Sequence, residues 1–183
     1  DTKKMKNVTI AVAIAASVLA SPAMAQEKGD FSGVKATAIA GYDNIDLDIA
    51  GADNVDGFLY GAALGYDVQS GIIVYGAELE ATESTSKISN GIDRVDAGRD
   101  LYAGARLGYV VGGSALLYAK AGYTNARVSS PGLGGYNGDG VRVGAGIEYK
   151  LSDKVFTRGE YRYSNYEDGV SRNQGLVSLG VKF

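Results

Sequence analysis

VRVGAGIEYK, Val141 to Lys150, alternates from end to end. Val141, Val143, Ala145, Ile147 and Tyr149 fall on one face, and Arg142, Gly144, Gly146 and Glu148 on the other. Period-two alternation marks a strand with one apolar side. A soluble sheet packs that side inward and turns its charges to water. Here the polar face carries charges of both signs interleaved with glycine, which weakens a strand and gains nothing on an open surface. A narrow closed interior does need small residues beside long charged ones. The polarity therefore reads as inverted, with apolar side chains outward and charges inward.

The same unit recurs along the chain. Gly33–Asp43, Val55–Val68, Ile72–Thr82, Arg99–Val110, Ala115–Arg127, Gly140–Lys150, Val155–Tyr166 and Gly175–Phe183 all alternate, with Ile39 an apolar exception on a polar face. The breaks differ in length. Gln69–Gly71, Val111–Ser114 and Leu151–Lys154 are short; Asn44–Asn54, Ser84–Gly98, Val128–Asp139 and Glu167–Asn173 are longer. Short turns at one end and long loops at the other are the asymmetry of an outer-membrane barrel. Segments of about ten residues suit a tilted bilayer crossing. In hydrocarbon every backbone N–H and C=O must be paired, so the sheet must close on itself. The expected fold is all-β: an eight-stranded antiparallel up-and-down transmembrane β-barrel over residues 33–183. A soluble lipocalin-like barrel is the competing reading.

The inward face collects Lys35, Glu78, Glu80, Asp100, Arg106, Lys120, Arg142, Glu148, Arg158, Glu160, Arg162 and Lys182. Unpaired buried charge is very costly, so these predict a charge ladder that plugs the lumen, with Glu78–Arg106 one pair and Glu148 with Arg158 or Arg162 another. Aromatic residues gather at the strand ends. Tyr66, Tyr75, Tyr109, Tyr149 and Phe183 lie near the short turns, and Tyr42, Phe58, Tyr123 and Tyr163 near the long loops. They predict two girdles at headgroup level.

The amino terminus reads as an export address. Lys3, Lys4 and Lys6 precede Val8–Ala20, an apolar core of 13 residues, and Ala23-Met24-Ala25 places small residues at the −3 and −1 positions of a cleavage site. That core is too short for a spanning helix and has no polar face at helical spacing, so a buried amphipathic helix is the weaker reading. The expectation is a signal peptide over residues 1–25, with residues 1–4 preceding Met5 (the more natural start), cut by way of Ala23 and Ala25, then a periplasmic segment over 26–32.

Composition narrows the function. The chain has 183 residues, a net charge of −3, 27 glycines, 13 tyrosines and no cysteine, tryptophan or histidine. Near-balanced charge without a basic run gives no footprint for nucleic acid. Without histidine the usual general base and the commonest metal ligand are missing. No catalytic residue, cofactor or metal is expected. The loop NIDLDIAGADN carries Asp46, Asp48 and Asp53, flanked by Asp43 and Asp56. Clustered carboxylates suit Ca²⁺, but no EF-hand spacing is present and solvated loop acids are the plainer reading.

VYGAELEA (Val74–Ala81), LYAGARLGYVV (Leu101–Val111), VRVGAGIEYKL (Val141–Leu151), TRGEYRYSNY (Thr157–Tyr166) and the terminal VSLGVKF together resemble the small outer-membrane-protein β-barrel family of alphaproteobacteria, the porin-family barrels related in fold to OmpA-like and opacity-type proteins. The chain departs from that pattern in lacking tryptophan and a proline within Leu117–Tyr123. The resemblance implies an integral protein of the Gram-negative outer membrane, in contact with its lipid and inserted by the outer-membrane assembly machinery. It also implies that Val177, Leu179, Val181 and Phe183 form part of the signal which that machinery reads. Enzymes of this fold class generally rely on histidine at the outer rim, so the expectation is no enzyme. Haem uptake, known among relatives, lacks histidine or cysteine ligands in the loops here. The leading expectation is a structural, surface-exposed envelope protein; a small channel for polar solutes or a loop-mediated binding protein is the alternative, and no residue names a loop partner.

Overall fold

The computed structural model describes residues 30–47, 55–85, 87–90, 93–130, 134–166 and 170–183. The expected signal peptide, with Ala23 and Ala25, lies outside them, as do Asp48 and Asp53. Every element among the described residues is a strand: β1 (Gly33–Leu47), β2 (Val55–Ser70), β3 (Ile73–Ser84), β4 (Lys87–Asn90), β5 (Asp93–Val111), β6 (Ala115–Ser130), β7 (Gly134–Lys150), β8 (Val155–Tyr166) and β9 (Val170–Lys182). All pairings are antiparallel.

The order is β3-β2-β1-β9-β8-β7-β6-β5-β4, and β3 also pairs with β5. Eight long strands therefore close into a barrel, while β4 only extends the β5 hairpin from Lys87↔Asp96 to Asn90↔Asp93. First and last strands meet from Lys35↔Lys182 to Leu47↔Val170. No wall strand keeps a free edge along the band between the girdles, which is what hydrocarbon requires.

Several strands outrun the boundaries expected from sequence. β1 continues to Leu47, β5 begins at Asp93, β6 runs to Ser130, β7 starts at Gly134 and β9 at Val170. These stretches are rich in Gly, Asn, Asp and Ser, so composition marks them as breaks. In the fold each lies beside an already aligned partner, and the ladder overrides weak local preference. Arg127–Ser130 of β6, for instance, pairs on with Asn137, Tyr136, Gly135 and Gly134 of β7.

The turns at the other end are tight. Ser70 pairs with Ile73, leaving Gly71 and Ile72 as a two-residue hairpin loop, and Gly71 has φ 64°. A positive φ at that position matches the right-handed twist of the strands, and glycine adopts it without strain.

The barrel is inverted relative to a soluble one. Leu64, Leu79, Val141 and Val177 are 61–65% exposed on the outer wall, whereas Lys35, Arg142 and Arg162 are at most 1% exposed inside. Large interior side chains sit over glycines: the Phe156 ring occupies the space where a Gly180 side chain would stand, and the Tyr118 ring does so at Gly146. Two apolar clusters line parts of the interior. Phe31, Val74, Leu116 and Tyr118 form one. Ile39, the exception on β1, joins Leu59, Ala63 and Leu176 in the other.

Candidate functional site

The charged interior is built one residue per strand step. Period two places Lys35 and Asp43 of β1, Asp67 of β2, Glu78 and Glu80 of β3, and Asp100 and Arg106 of β5 on the inner face. Lys120 of β6, Arg142 and Glu148 of β7, Arg158, Glu160 and Arg162 of β8, and Arg172 of β9 complete it. Seven cations thus meet seven carboxylates, all buried.

They form one connected set. Near the short turns Lys35 Nζ lies 2.5 Å from Glu148 and 2.7 Å from Asp67. Arg106 is bidentate on Asp67 and 3.0 Å from Glu148. Arg158 bridges Glu148 at 2.9 Å to Glu78 at 2.6 Å. In the middle Lys120 Nζ touches Glu160 at 2.8 Å, Glu78 at 3.0 Å and Glu80 at 3.3 Å, and Arg162 also pairs with Glu80. Toward the long loops Arg142 joins Glu80 at 3.4 Å to Asp100. Arg172 then joins Asp100 at 3.3 Å to Asp43. The chain of contacts starts at Lys35 and ends at Asp43, both on β1.

Uncharged groups add further hydrogen bonds, though the Tyr102 hydroxyl, Arg106 Nη1 and Arg162 Nη2 are buried without one among the described residues. Asp100 accepts from Thr124 at 2.6 Å and Tyr166 at 2.9 Å. Asp43 accepts from Ser84 at 2.7 Å and Gln174 at 3.0 Å, and Tyr118 donates to Glu160 at 2.7 Å. Aromatic faces add contacts to the cations: Lys120 Nζ is 4.8 Å from the Tyr102 ring centroid, and Arg106 is 5.0 Å from that of Tyr118. Such multiply bonded charges are the arrangement in which burial of ions is tolerated.

Particular pairings differ from the sequence expectation. Glu78 and Arg106 make no direct ion pair; Glu78 binds Lys120 and Arg158, and Arg106 binds Asp67 and Glu148. In so narrow a barrel long side chains reach across the lumen as readily as along the wall. Of the two partners considered for Glu148, Arg158, its direct cross-strand neighbour, makes the contact, whereas Arg162 binds Glu80.

Lys182 does not belong to the interior set. It lies directly opposite Lys35 at the barrel mouth, where like charges repel, and its Nζ donates outward to the Asp30 carbonyl at 2.7 Å. Nearby, the Ser32 backbone N–H, helped by the Ser32 side chain and by Lys182 and Lys150, holds the Asp30 carboxyl below its usual range.

Three interior charges escape the sequence reading: Asp43, Asp67 and Arg172. Asp43 and Asp67 are in phase with the polar faces of their strands, yet one borders an acidic loop and the other a turn. Arg172 sits where composition indicates a loop. Asp56, by contrast, is exposed and accepts from Asn44 at 2.7 Å. Asp46 lies on β1, with its side chain outside the described set. No group of acids suited to a metal ion occurs among the described residues.

On the outer wall Tyr42, Phe58, Tyr66, Tyr75, Tyr109, Tyr123, Tyr149, Tyr163 and Phe183 are all exposed. Tyr60 and Tyr161 share this wall. Their hydroxyls donate to Glu83 at 3.0 Å and Asn173 at 2.6 Å, and Tyr123 donates to Asp139. Val177, Leu179 and Val181 form an outward row on β9.

A family model described as "Outer membrane protein beta-barrel domain" matches residues 12–183. The chain belongs to this outer-membrane β-barrel family. It is similar to the 25 kDa outer-membrane immunogenic protein of Brucella ovis, at 31% identity over 78% of this chain and 72% of that protein. The 22 kDa outer membrane protein of Rhizobium leguminosarum is 31% identical over 65% of this chain and 63% of its own length. Among solved structures, Neisserial surface protein A superposes with a TM-score of 0.64 at 17% identity, covering 83% of this chain and 98% of that one. Ail of Yersinia pestis gives 0.56 at 18%, covering 84% and 100%. These two likenesses concern the fold. As a member of the outer-membrane β-barrel family, the protein resides in the outer membrane of a Gram-negative bacterium. In barrels of this kind short turns generally lie on the periplasmic side and long hairpins on the outer side.

Proposed function

We propose that this outer-membrane β-barrel protein is a non-conducting structural element of the envelope that presents its outer hairpins at the cell surface and performs no catalysis. The carrying observation is the interior: seven buried cations and seven buried carboxylates in one set of ion pairs that runs the length of the lumen. An eight-stranded barrel has an interior that side chains just fill. The charges balance in number and bond to one another, so an ion entering the lumen would have to displace these contacts. The immunogenic label of the Brucella relative supports surface presentation of the hairpins.

Two partners follow from the outer wall. The exposed apolar band between the tyrosines meets lipid hydrocarbon, and the outward row Val177, Leu179, Val181 and Phe183 on the closing strand supports a contact with the assembly machinery during insertion. The function is tested by reconstituting pure protein in planar bilayers. No steady conductance steps are expected; reproducible nanosiemens steps would establish a channel and overturn the reading.

A further inference from the structure

Phe31 stands ahead of β1, where residues ordinarily have little to pack against and fray. It is nevertheless 1% exposed. It joins one buried apolar cluster with Val74 of β3 and Leu116 and Tyr118 of β6, with Val110 of β5 packed against the group. The backbone on either side is tied to the rim from several directions. Gln69 of β2 accepts the Phe31 N–H on Oε1 at 2.8 Å, and its own N–H donates to Ser32 Oγ at 2.9 Å. Lys150 of β7 and Lys182 of β9 both donate to the Asp30 carbonyl, at 3.2 and 2.7 Å. The Asp30 carboxylate accepts the Ser32 N–H at 2.8 Å. Two ammoniums approach the ring, Lys35 at 5.5 Å and Lys150 at 5.3 Å from its centroid.

Three consecutive residues are thus tied by hydrogen bonds to β2, β7 and β9 and by the apolar cluster to β3 and β6, strands spread around the mouth. Hydrogen bonds fix where the backbone crosses, and the apolar floor of Val74 and Leu116 fixes where the ring rests. Lys35, Asp67 and Glu148 begin immediately inside. We propose that residues 30–32 are a built-in stopper, with Phe31 sealing the periplasmic mouth so that periplasmic water and solutes do not reach the lower ion pairs. This extends the closed-lumen reading, and its test avoids conductance so that either can fail alone.

The chain contains no cysteine, so single thiols report local access cleanly. Leu116→Cys places a thiol beneath the ring, and Ser152→Cys on the exposed turn measures unhindered reagent. Both are reacted with a small cationic methanethiosulfonate in refolded barrel, after a heat-modifiable gel shift has verified folding. The thiol at position 116 is expected to react slowly in the parent chain and about tenfold faster or more once Phe31→Ala is added, because access is governed by local opening. Gln69→Ala, which keeps the ring and removes its tether, should give a smaller rise, and Phe31→Leu should restore protection. Should Phe31→Ala fail to fold, the Gln69→Ala comparison decides. Equal rates at position 116 with and without the stopper changes would overturn the proposal.

Discussion

Glu148 is the point at which the ion-pair set is most directly tested. It is held by Lys35 at 2.5 Å, Arg158 at 2.9 Å and Arg106 at 3.0 Å, and it lies between Leu116 and Arg158 on the neighbouring strands. Glu148→Gln preserves volume and two of the acceptor contacts while leaving seven cations against six carboxylates. Removing one partner of a buried pair costs about 3–5 kcal/mol, because the other charge stays buried without compensation. With the amide oxygen still accepting, a loss of about 3 kcal/mol is expected, at the lower end of that range. The assay is reversible urea unfolding in phospholipid, followed by far-UV circular dichroism because the chain has no tryptophan. Lys35→Met should be costly alone for the same reason. Combined with Glu148→Gln it restores balance and leaves Asp67 with Arg106, so the double variant should be more stable than the sum of the singles by about 1–3 kcal/mol. A Glu148→Gln variant within about 0.5 kcal/mol of the parent, the range of an ordinary surface change, would refute the argument that the interior charges are held by mutual compensation.

Other positions probe the two faces separately. Leu79→Arg puts a charge on the exposed outer wall and should cost about 2–4 kcal/mol in the same bilayer titration; a smaller effect in a detergent micelle than in a bilayer would locate the loss in lipid contact. Gly180→Ala forces the Phe156 ring from its seat, with an expected loss of about 1–3 kcal/mol from overpacking that Phe156→Leu should partly recover. Lys182→Ala is expected to cost about 1 kcal/mol or less, as for an exposed contact, because its ammonium serves a carbonyl at the mouth. A loss as large as that of Glu148→Gln would place Lys182 back in the interior set.

The strand pattern, the barrel and the inverted faces were legible in the residues themselves. Alternation is a local property, so VRVGAGIEYK alone separates an apolar wall from a charged one, and glycine beside charges of both signs marks the charged wall as confined. What alternation cannot convey is distance across the lumen. Which acid meets which cation depends on strand stagger and on side chains that extend from opposite walls, and for that reason Glu78 finds Lys120 and Arg158 while Arg106 turns to Asp67 and Glu148. The strand ends were hidden for a related cause: Gly, Asn and Asp have weak local preference for a strand, and only an aligned neighbour carries β6, β7 and β9 outward, bringing Arg172 to Asp43. Phe31 and Lys182 belong to the tertiary structure alone. One lies outside any periodic segment and is buried in a cluster with Val74, Leu116 and Tyr118 that only closure assembles; the other is in phase with the interior yet displaced from it, because closure sets it against Lys35.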